Sequence, residues 1–204
     1  DANTFSLKDK DGVAINTTSF TTYSSAGTMN RVYTIASPYT TAELFDIKFA
    51  QSADVMYITH PAHEVEKLSR TGHTAWTLTD VDFGNGPFMD HNIETTTLTP
   101  SHKTVGATTT VTASAVTGIN SGSGFVSTDV GRLVHVKDGH FKITSITSTT
   151  IVVGTVIVDL GITTGTTDFA LGSFSDTSGH PSCVTFFEQR LVFAGTTSQP
   201  QTIF

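Results

Sequence analysis

The stretch Arg132–Ile146, RLVHVKDGHFKITSI, decides the fold class of this chain. Apolar and polar residues alternate on both sides of Asp138–Gly139, a dipeptide typical of a type I′ turn between two antiparallel strands. The register that this turn predicts places four apolar residues on one face, in the pairs Val136–Phe141 and Val134–Ile143. It places four polar residues on the other face, in the pairs Lys137–His140 and His135–Lys142. We therefore expect a half-buried antiparallel sheet.

The rest of the chain has the same character, because Thr, Val, Ile and Phe favour strands and Gly supplies turns. Further strands are predicted at Arg31–Ile35, Asp54–Thr59, Glu64–Arg70, Ala75–Val81, Thr108–Ser114 and Thr150–Val158. A second hairpin is predicted from Val184–Phe187 and Arg190–Gly195, with Val184 opposite Phe193 and Phe186 opposite Leu191. Only Thr40–Ala50 has helical spacing, and a helical turn or a strand are both possible there. The predicted fold class is all-β.

Three regions differ in composition. Residues 1–100 form a first β region, a meander of short hairpins. Residues 101–168 are almost entirely Thr, Val, Ile, Ser and Gly, and predict a small β-barrel or sandwich with its own core. Residues 169–204 return to the aromatic composition of the first region as a hairpin. This order predicts a small domain inserted at an exposed loop tip of a larger one.

Charge and composition exclude several classes of protein. The net charge is −7 with only 11 Lys and Arg residues, none of them clustered, so we expect no direct nucleic-acid binding. No apolar stretch approaches the ~18 residues of a membrane span, so we expect no membrane insertion. The single cysteine, Cys183, is predicted to be a buried, inert thiol, which fits assembly in a reducing cytoplasm. The chain starts at Asp1 rather than Met, which suggests an excised fragment.

The best candidate for a metal site is His60-x-x-His63 with His73 as a third ligand. Zinc requires three or four converging ligands, and His73 is predicted to lie in a different turn from the other two. Surface loop histidines are therefore the favoured interpretation, and we expect no metal or cofactor.

Carboxylates and hydroxyls could carry other chemistry at three places in the sequence. Asp80, Asp82 and Asp90 could supply an acid pair for glycoside hydrolysis, but their spacing is more typical of a solvated strand end. Asp9, Asp11 and Gly12 resemble the start of a calcium loop without its later acidic ligands, and a β-turn is favoured. The segment Ser121–Gly124 lacks the following helix that a phosphate cradle requires. We expect no catalytic residue and no enzymatic activity.

Two stretches resemble large phage and prophage tail proteins of the tail-tube or nozzle type. They are residues 42–88, AELFDIKFAQSADVMYITHPAHEVEKLSRTGHTAWTLTDVDFGNGPF, and residues 172–204, GSFSDTSGHPSCVTFFEQRLVFAGTTSQPQTIF. The residues that fall in family order are Gln51–Ser52–Ala53–Asp54, His60–Pro61, Trp76, Gly179, Pro181, Glu188–Gln189–Arg190 and Pro200–Gln201. The resemblance implies propeller-like blades, in which Asp54 caps a turn and Trp76 packs between neighbouring sheets.

The middle region is similar to a small domain of such phage proteins that is related to the FCCH domain of ubiquitin-activating enzyme. Phe125, the run Asp129–Arg132 and the hairpin that follows carry this similarity. No adenylating site or catalytic cysteine accompanies it.

The resemblance implies a structural component of a phage tail, located in the virion and assembled in the bacterial cytoplasm. Its partners would be other tail subunits, arranged as a homo-oligomeric ring in the full-length protein. The alternative is a carbohydrate- or receptor-binding module that contacts a host surface glycan. Sugar platforms need coplanar exposed Trp or Tyr residues, whereas this chain has one Trp and 4 Tyr, and its 14 Phe are predicted to lie mostly on inner faces.

Overall fold

The structure is a computed structural model that describes residues 8, 9, 11–16, 18 and 33–204. Strands account for 44% of it and helical residues for 3%, which confirms the all-β prediction. The chain divides into two units, residues 1–34 and residues 35–204.

In the first unit, the described residues form a tight turn. Lys8 and Ala14 make an isolated antiparallel bridge. The carboxylate oxygen Oδ1 of Asp9 accepts hydrogen bonds from the backbone N–H groups of Asp11 and Val13, and Gly12 N donates to Asp9 O at 3.0 Å. The backbone bond from Gly12 to Asp9 is that of a β-turn. The Asp9 carboxylate stabilises the same turn by accepting the other two bonds.

The second unit begins with a four-stranded antiparallel meander. Its strands are β1 (Lys48–Ser52), β2 (Val55–His60), β3 (His63–Gly72) and β4 (Ala75–Asp80), in sequential order. The stretch Thr40–Ala50 resolves into a turn over residues 41–46 followed by the start of β1. Of the predicted strand Arg31–Ile35, Arg31 and Val32 lie outside the described residues, and the other three residues are not in a strand.

A six-stranded antiparallel sheet follows and curls into a half-barrel. Its strands are β5 (Leu98–Pro100), β6 (Thr108–Ala113), β7 (Leu133–Val136), β8 (Gly139–Ser148), β9 (Ile151–Val158) and β10 (Phe169–Leu171), in the order β10-β7-β8-β9-β6-β5. Three register shifts between β8 and β9 bend the sheet, because each bulge adds local twist. Leu98 and Thr166 then exchange backbone hydrogen bonds of 2.8 and 3.0 Å, which join β5 to the segment before β10.

The half-barrel encloses the main hydrophobic core. Alternate residues point inward, so that β6 buries Thr109, Val111 and Ala113 and exposes the threonines between them. The strands, the loop before β7 and the segment after β9 contribute fourteen buried residues to this core: Leu98, Val111, Ala113, Ile119, Phe125, Val134, Val136, Phe141, Ile143, Val152, Val156, Leu160, Phe169 and Leu171. Gly154 lies beneath the Phe141 ring, where a Cβ would come within 2.5 Å of Phe141 Cδ2 and Lys142 O.

The β7–β8 hairpin has the predicted faces but a different register. Val136 pairs with Gly139 and Val134 with Phe141, so the two-residue turn is Lys137–Asp138. Only its first central residue, Lys137, has a positive φ, of 57°, whereas a type I′ turn needs two. The predicted pairing is wrong by two residues, and a shift of two keeps each side chain on its face.

The reason for the shift is a tertiary contact at Gly139. A Cβ at this position would lie 2.3 Å from the carbonyl oxygens of Val158 and Asp159. Glycine is therefore required here by the close approach of the β9 end, and not by the turn.

The second predicted hairpin is confirmed. Strands β11 (Cys183–Phe187) and β12 (Arg190–Ala194) pair with Val184 opposite Phe193 and Phe186 opposite Leu191. The turn residues Glu188 and Gln189 both have positive φ, 46° and 65°, as in a type I′ turn.

An aromatic cluster joins the segments on either side of the half-barrel. Phe83 precedes the half-barrel and Phe174 follows it, and their rings meet edge to face at 5.0 Å. Phe193 lies 5.5 Å from Phe83, and Phe204 lies 4.9 Å from Phe174. The antiparallel bridge between Phe88 and Gly172 places the entry and exit of the half-barrel side by side.

Candidate functional site

Two groups of histidine and carboxylate side chains converge within the described residues. In each group, one ligand atom per residue lies within 4.8 Å of the others. The groups are Glu43, His60 and His63 in the first case, and His91, His135 and Asp168 in the second.

The first group lies where the β2–β3 hairpin meets the turn over residues 41–46. His60 ends β2 and His63 begins β3, and their rings are 5.1 Å apart. His63 Nε2 is 3.1 Å from Glu43 Oε1. The Tyr39 ring packs edge-on against both imidazoles, at 6.1 Å from His60 and 5.3 Å from His63.

Glu43 is held by a capping interaction with Thr40. The Thr40 N–H and hydroxyl both donate to Glu43 Oε2 at 2.8 Å. These two bonds and the contact with His63 lower the pKa of Glu43 to about 2, and the bond from the Thr40 backbone has the largest effect. The carboxylate is therefore ionised at neutral pH, and its other oxygen, Oε1, faces His63.

The predicted third histidine does not join this group. His73 Nδ1 lies 3.2 Å from the Arg70 guanidinium in the β3–β4 turn. His60 and His63 come together as a pair, but the residue that completes the group is Glu43, which lies outside the predicted histidine set.

The second group lies at the edge of the half-barrel. His91 Nδ1 is 3.1 Å from Asp168 Oδ1, and the His91 and His135 rings are 5.4 Å apart. Burial, and then the nearby His91, lower the pKa of His135, which favours its neutral form. Lys137 Nζ lies 3.6 Å from Asp168 Oδ2 and partly neutralises that carboxylate.

The candidate acids for glycoside hydrolysis, Asp80, Asp82 and Asp90, do not share one site. Asp80 ends β4 opposite Glu66, and burial together with Asp80 and Glu64 raises the pKa of Glu66. Burial, and then the Glu66 and Asp80 carboxylates, raise the pKa of Tyr39 to about 12. Asp90 is exposed on the rim of a cavity of about 310 Å³, which neither Asp80 nor Asp82 lines.

The cavity is closed on one side by a buried polar network. Arg132 and Asp129 are 1% and 0% exposed and are 2.8 Å apart. Asn120, in the 3-10 turn Asn120–Gly122 that overlaps Ser121–Gly124, bonds to both of them. Asp129 and Arg132, which begin and end the run that resembles the FCCH domain, therefore serve to build this buried network. Phe125 serves to fill the core, where it is buried.

Most of the described phenylalanines are buried or half-buried, as predicted, but four are exposed. Phe45, Phe49 and Phe187 are 90%, 63% and 64% exposed, and Phe186 is 39% exposed. They lie on the turn before β1, on β1 and on β11, and β1 contacts β11. Phe186 and Phe187 are successive residues of β11 and point to opposite faces of it, and the Phe186 ring packs against Tyr57. We therefore call only Phe45, Phe49 and Phe187 the phenylalanine surface.

Cys183 differs from expectation, and Trp76 makes contacts within its own hairpin. The Cys183 thiol is exposed, because β11 is an outer strand with only β12 beside it in its sheet. Trp76 is half-buried. Its Nε1 donates to His73 O at 3.2 Å, and the Arg70 guanidinium lies 5.8 Å from the ring.

No protein-family model matches the chain, and no curated protein matches its sequence significantly. Among the described residues, no helix is long and apolar enough to span a membrane.

Proposed function

We propose that the chain is a structural component of a bacteriophage tail, which forms part of the virion scaffold and contacts other tail subunits without catalysing a reaction. The observation that carries this proposal is the phenylalanine surface. Burying a phenylalanine side chain contributes about 1.5–3 kcal/mol, so three exposed rings on adjoining elements favour a protein partner. Aromatic residues are enriched at the centres of such interfaces.

The partner that we propose for this surface is a second copy of the chain. Tail assemblies are built from rings of identical subunits, and a ring needs a patch on each subunit that another copy can cover.

The fold supports the architectural part of the proposal. Strands β1–β4 follow one another in a four-stranded antiparallel meander, which is the arrangement of a propeller blade. The half-barrel would be the inserted domain, because Phe83 and Phe174 on its two flanks are in contact. In this arrangement the blade and the adjoining β11 carry the subunit contact, and the half-barrel projects from them.

The alternative function, binding of a surface glycan, has less support. Sugar rings stack on open Trp or Tyr faces, and Trp76 is half-buried with Arg70 close to its ring. The most exposed rings in the described part of the chain are phenylalanines. Specific micromolar binding on a glycan array would reverse this ranking.

Sedimentation velocity across a concentration series tests the proposed contact. We expect the unmodified chain to self-associate and the double variant Phe49→Ser/Phe187→Ser to sediment as a monomer. Ile93→Ser is the matched control, because Ile93 is 94% exposed but lies outside the phenylalanine surface. A chain that stays monomeric at the highest concentrations, or one that associates equally in the double variant, would contradict the proposal.

A further inference from the structure

Three polar side chains from two separate segments meet at the β2–β3 turn. Glu43 comes from the turn before β1, whereas His60 and His63 flank the turn that joins β2 to β3. One ring nitrogen of each histidine and one carboxylate oxygen lie within 4.8 Å of one another. Two imidazoles and a carboxylate are a ligand set that zinc uses in proteins.

His63 supplies the observation that points to a ligand. Its Nε2 is buried and has no hydrogen-bond partner, although Glu43 Oε1 lies only 3.1 Å away. The two atoms are close without the alignment of a hydrogen bond. Buried polar atoms are nearly always satisfied, so an atom in this position calls for a partner that lies between the two groups.

The Glu43 carboxylate is oriented before any ligand arrives. Thr40 occupies Oε2 with two hydrogen bonds of 2.8 Å, which leaves Oε1 toward His63. Hydrogen bonds to the outer side of a ligating carboxylate are typical of metal sites, because they fix the ligand and tune its basicity.

We propose that Glu43, His60 and His63 bind one divalent cation of the zinc class, with water in the remaining coordination position. Coordination of the cation by His60 costs one hydrogen bond, because His60 Nδ1 accepts a bond of 3.2 Å from Ala62 N. That bond is lost when the ring proton moves to Nδ1 and Nε2 takes the metal. The bound cation would fasten the turn over residues 41–46 to the β2–β3 hairpin, beside the phenylalanine surface.

The second histidine group also has a buried ring nitrogen without a hydrogen-bond partner, His135 Nδ1, but it is a poorer site for a cation. Lys137 Nζ already lies 3.6 Å from Asp168 Oδ2, and the side chains of His91 and Asp168 are 61% and 41% exposed. An ammonium group at this distance repels a divalent ion and competes for the carboxylate. His91 is therefore a suitable control for zinc binding at the wrong group.

The test is zinc binding by the whole chain, measured by isothermal titration calorimetry and by competition with a chromophoric chelator at pH 7.5. We expect one equivalent of zinc to bind. His63→Gln should weaken binding roughly 100-fold or more, and Thr40→Val, which removes one bond to Glu43, roughly 10-fold. His91→Ala and His73→Ala should leave the affinity unchanged.

Thermal unfolding without zinc shows whether each variant folds. Glu43→Gln is the second variant, because Glu43 is half-exposed in a turn and the amide retains its size. The proposal is overturned if the unmodified chain takes up no zinc, if both His63→Gln and Glu43→Gln bind it normally, or if His91→Ala abolishes binding. The sedimentation experiment is independent, so the metal site can fail while the subunit contact stands.

Discussion

Arg132 and Asp129 form an ion pair inside the protein, with Arg132 Nη1 2.8 Å from Asp129 Oδ1. Each charge has further partners. Arg132 Nε donates to Gly172 O at 2.7 Å, and Asp129 Oδ2 accepts from Val126 N and from the Asn120 amide. Burial lowers the pKa of Arg132, while Asp129 opposes that shift. The pair ties the loop before β7 to the segment that follows β10.

Removing one member of this pair should be costly. Asp129→Ala leaves the arginine charge buried without its counter-ion, and we expect a loss of about 3–5 kcal/mol in the free energy of unfolding, measured in urea. The matched control is Asp54→Ala, which breaks the exposed pair with Arg70 and should cost about 0–1 kcal/mol. Equal effects of the two changes would contradict the role given to the buried network.

Gly154 should tolerate no side chain. Gly154→Ala would bring a methyl group within 2.5 Å of the Lys142 carbonyl oxygen and the Phe141 ring, so β8 and β9 would have to move apart. We expect a loss of about 1–3 kcal/mol by denaturant unfolding. Gly84→Ala is the control, since a Cβ there meets nothing within 4 Å. Normal stability of Gly154→Ala would mean that the core is looser than the structure indicates.

The β11–β12 turn should be open to stabilisation. Glu188 and Gln189 both occupy the left-handed region, which costs most side chains about 1–2 kcal/mol per residue. The double change Glu188→Asn/Gln189→Gly introduces the preferred type I′ sequence and should raise stability by about 1 kcal/mol, seen as a higher melting temperature. If this turn serves the subunit contact, the same variant should also self-associate less. A lower melting temperature would show that the two residues make contacts that offset their strain.

Glu66 should make stability depend on pH. Its pKa is raised in the folded protein by burial and by Asp80 and Glu64, above the ordinary value of 4.5. The folded state therefore binds the proton more tightly than the unfolded chain does. The stability that this proton contributes is present below about pH 4.5 and is lost as the pH rises through the raised pKa.

The measurement is the melting temperature from pH 4 to pH 8 for the unmodified chain and for Glu66→Gln, which cannot ionise. We expect the variant to gain stability relative to the unmodified chain as the pH rises. Glu94→Gln is the control, because Glu94 is an exposed carboxylate in a loop. Parallel curves for the unmodified chain and Glu66→Gln would contradict the raised pKa.

Local sequence patterns predicted the parts of the fold that depend on neighbours along the chain. Alternation gave the correct faces of β7 and β8 and the full register of β11–β12. The register of β7–β8 was wrong because Gly139 serves a contact with the end of β9, which no local pattern reveals. The prediction that Cys183 is buried was wrong for a similar reason. An apolar strand sequence does not show whether the strand lies at the surface of the protein.

The sequence predicted two of the three proposed metal ligands, His60 and His63, but not the third. The spacing of His60 and His63 around a proline turn brings the two rings together, as the structure has them. Glu43 could not be added from spacing, because its position depends on how the preceding turn packs on the hairpin. The available signal was the Thr40-x-x-Glu43 capping pattern, which predicts an oriented carboxylate but not what it faces.

Immunogold electron microscopy tests the central claim most directly. Antibodies raised against this chain would be applied to phage particles purified from the bacterium that carries the gene, with an antibody to a host cytoplasmic protein as the control. If the chain is part of a tail scaffold, gold should label the tails in a regular position, and the chain should be detected by mass spectrometry in the same particles. Particles without label, together with recovery of the chain only from the soluble fraction of the cells, would contradict the claim.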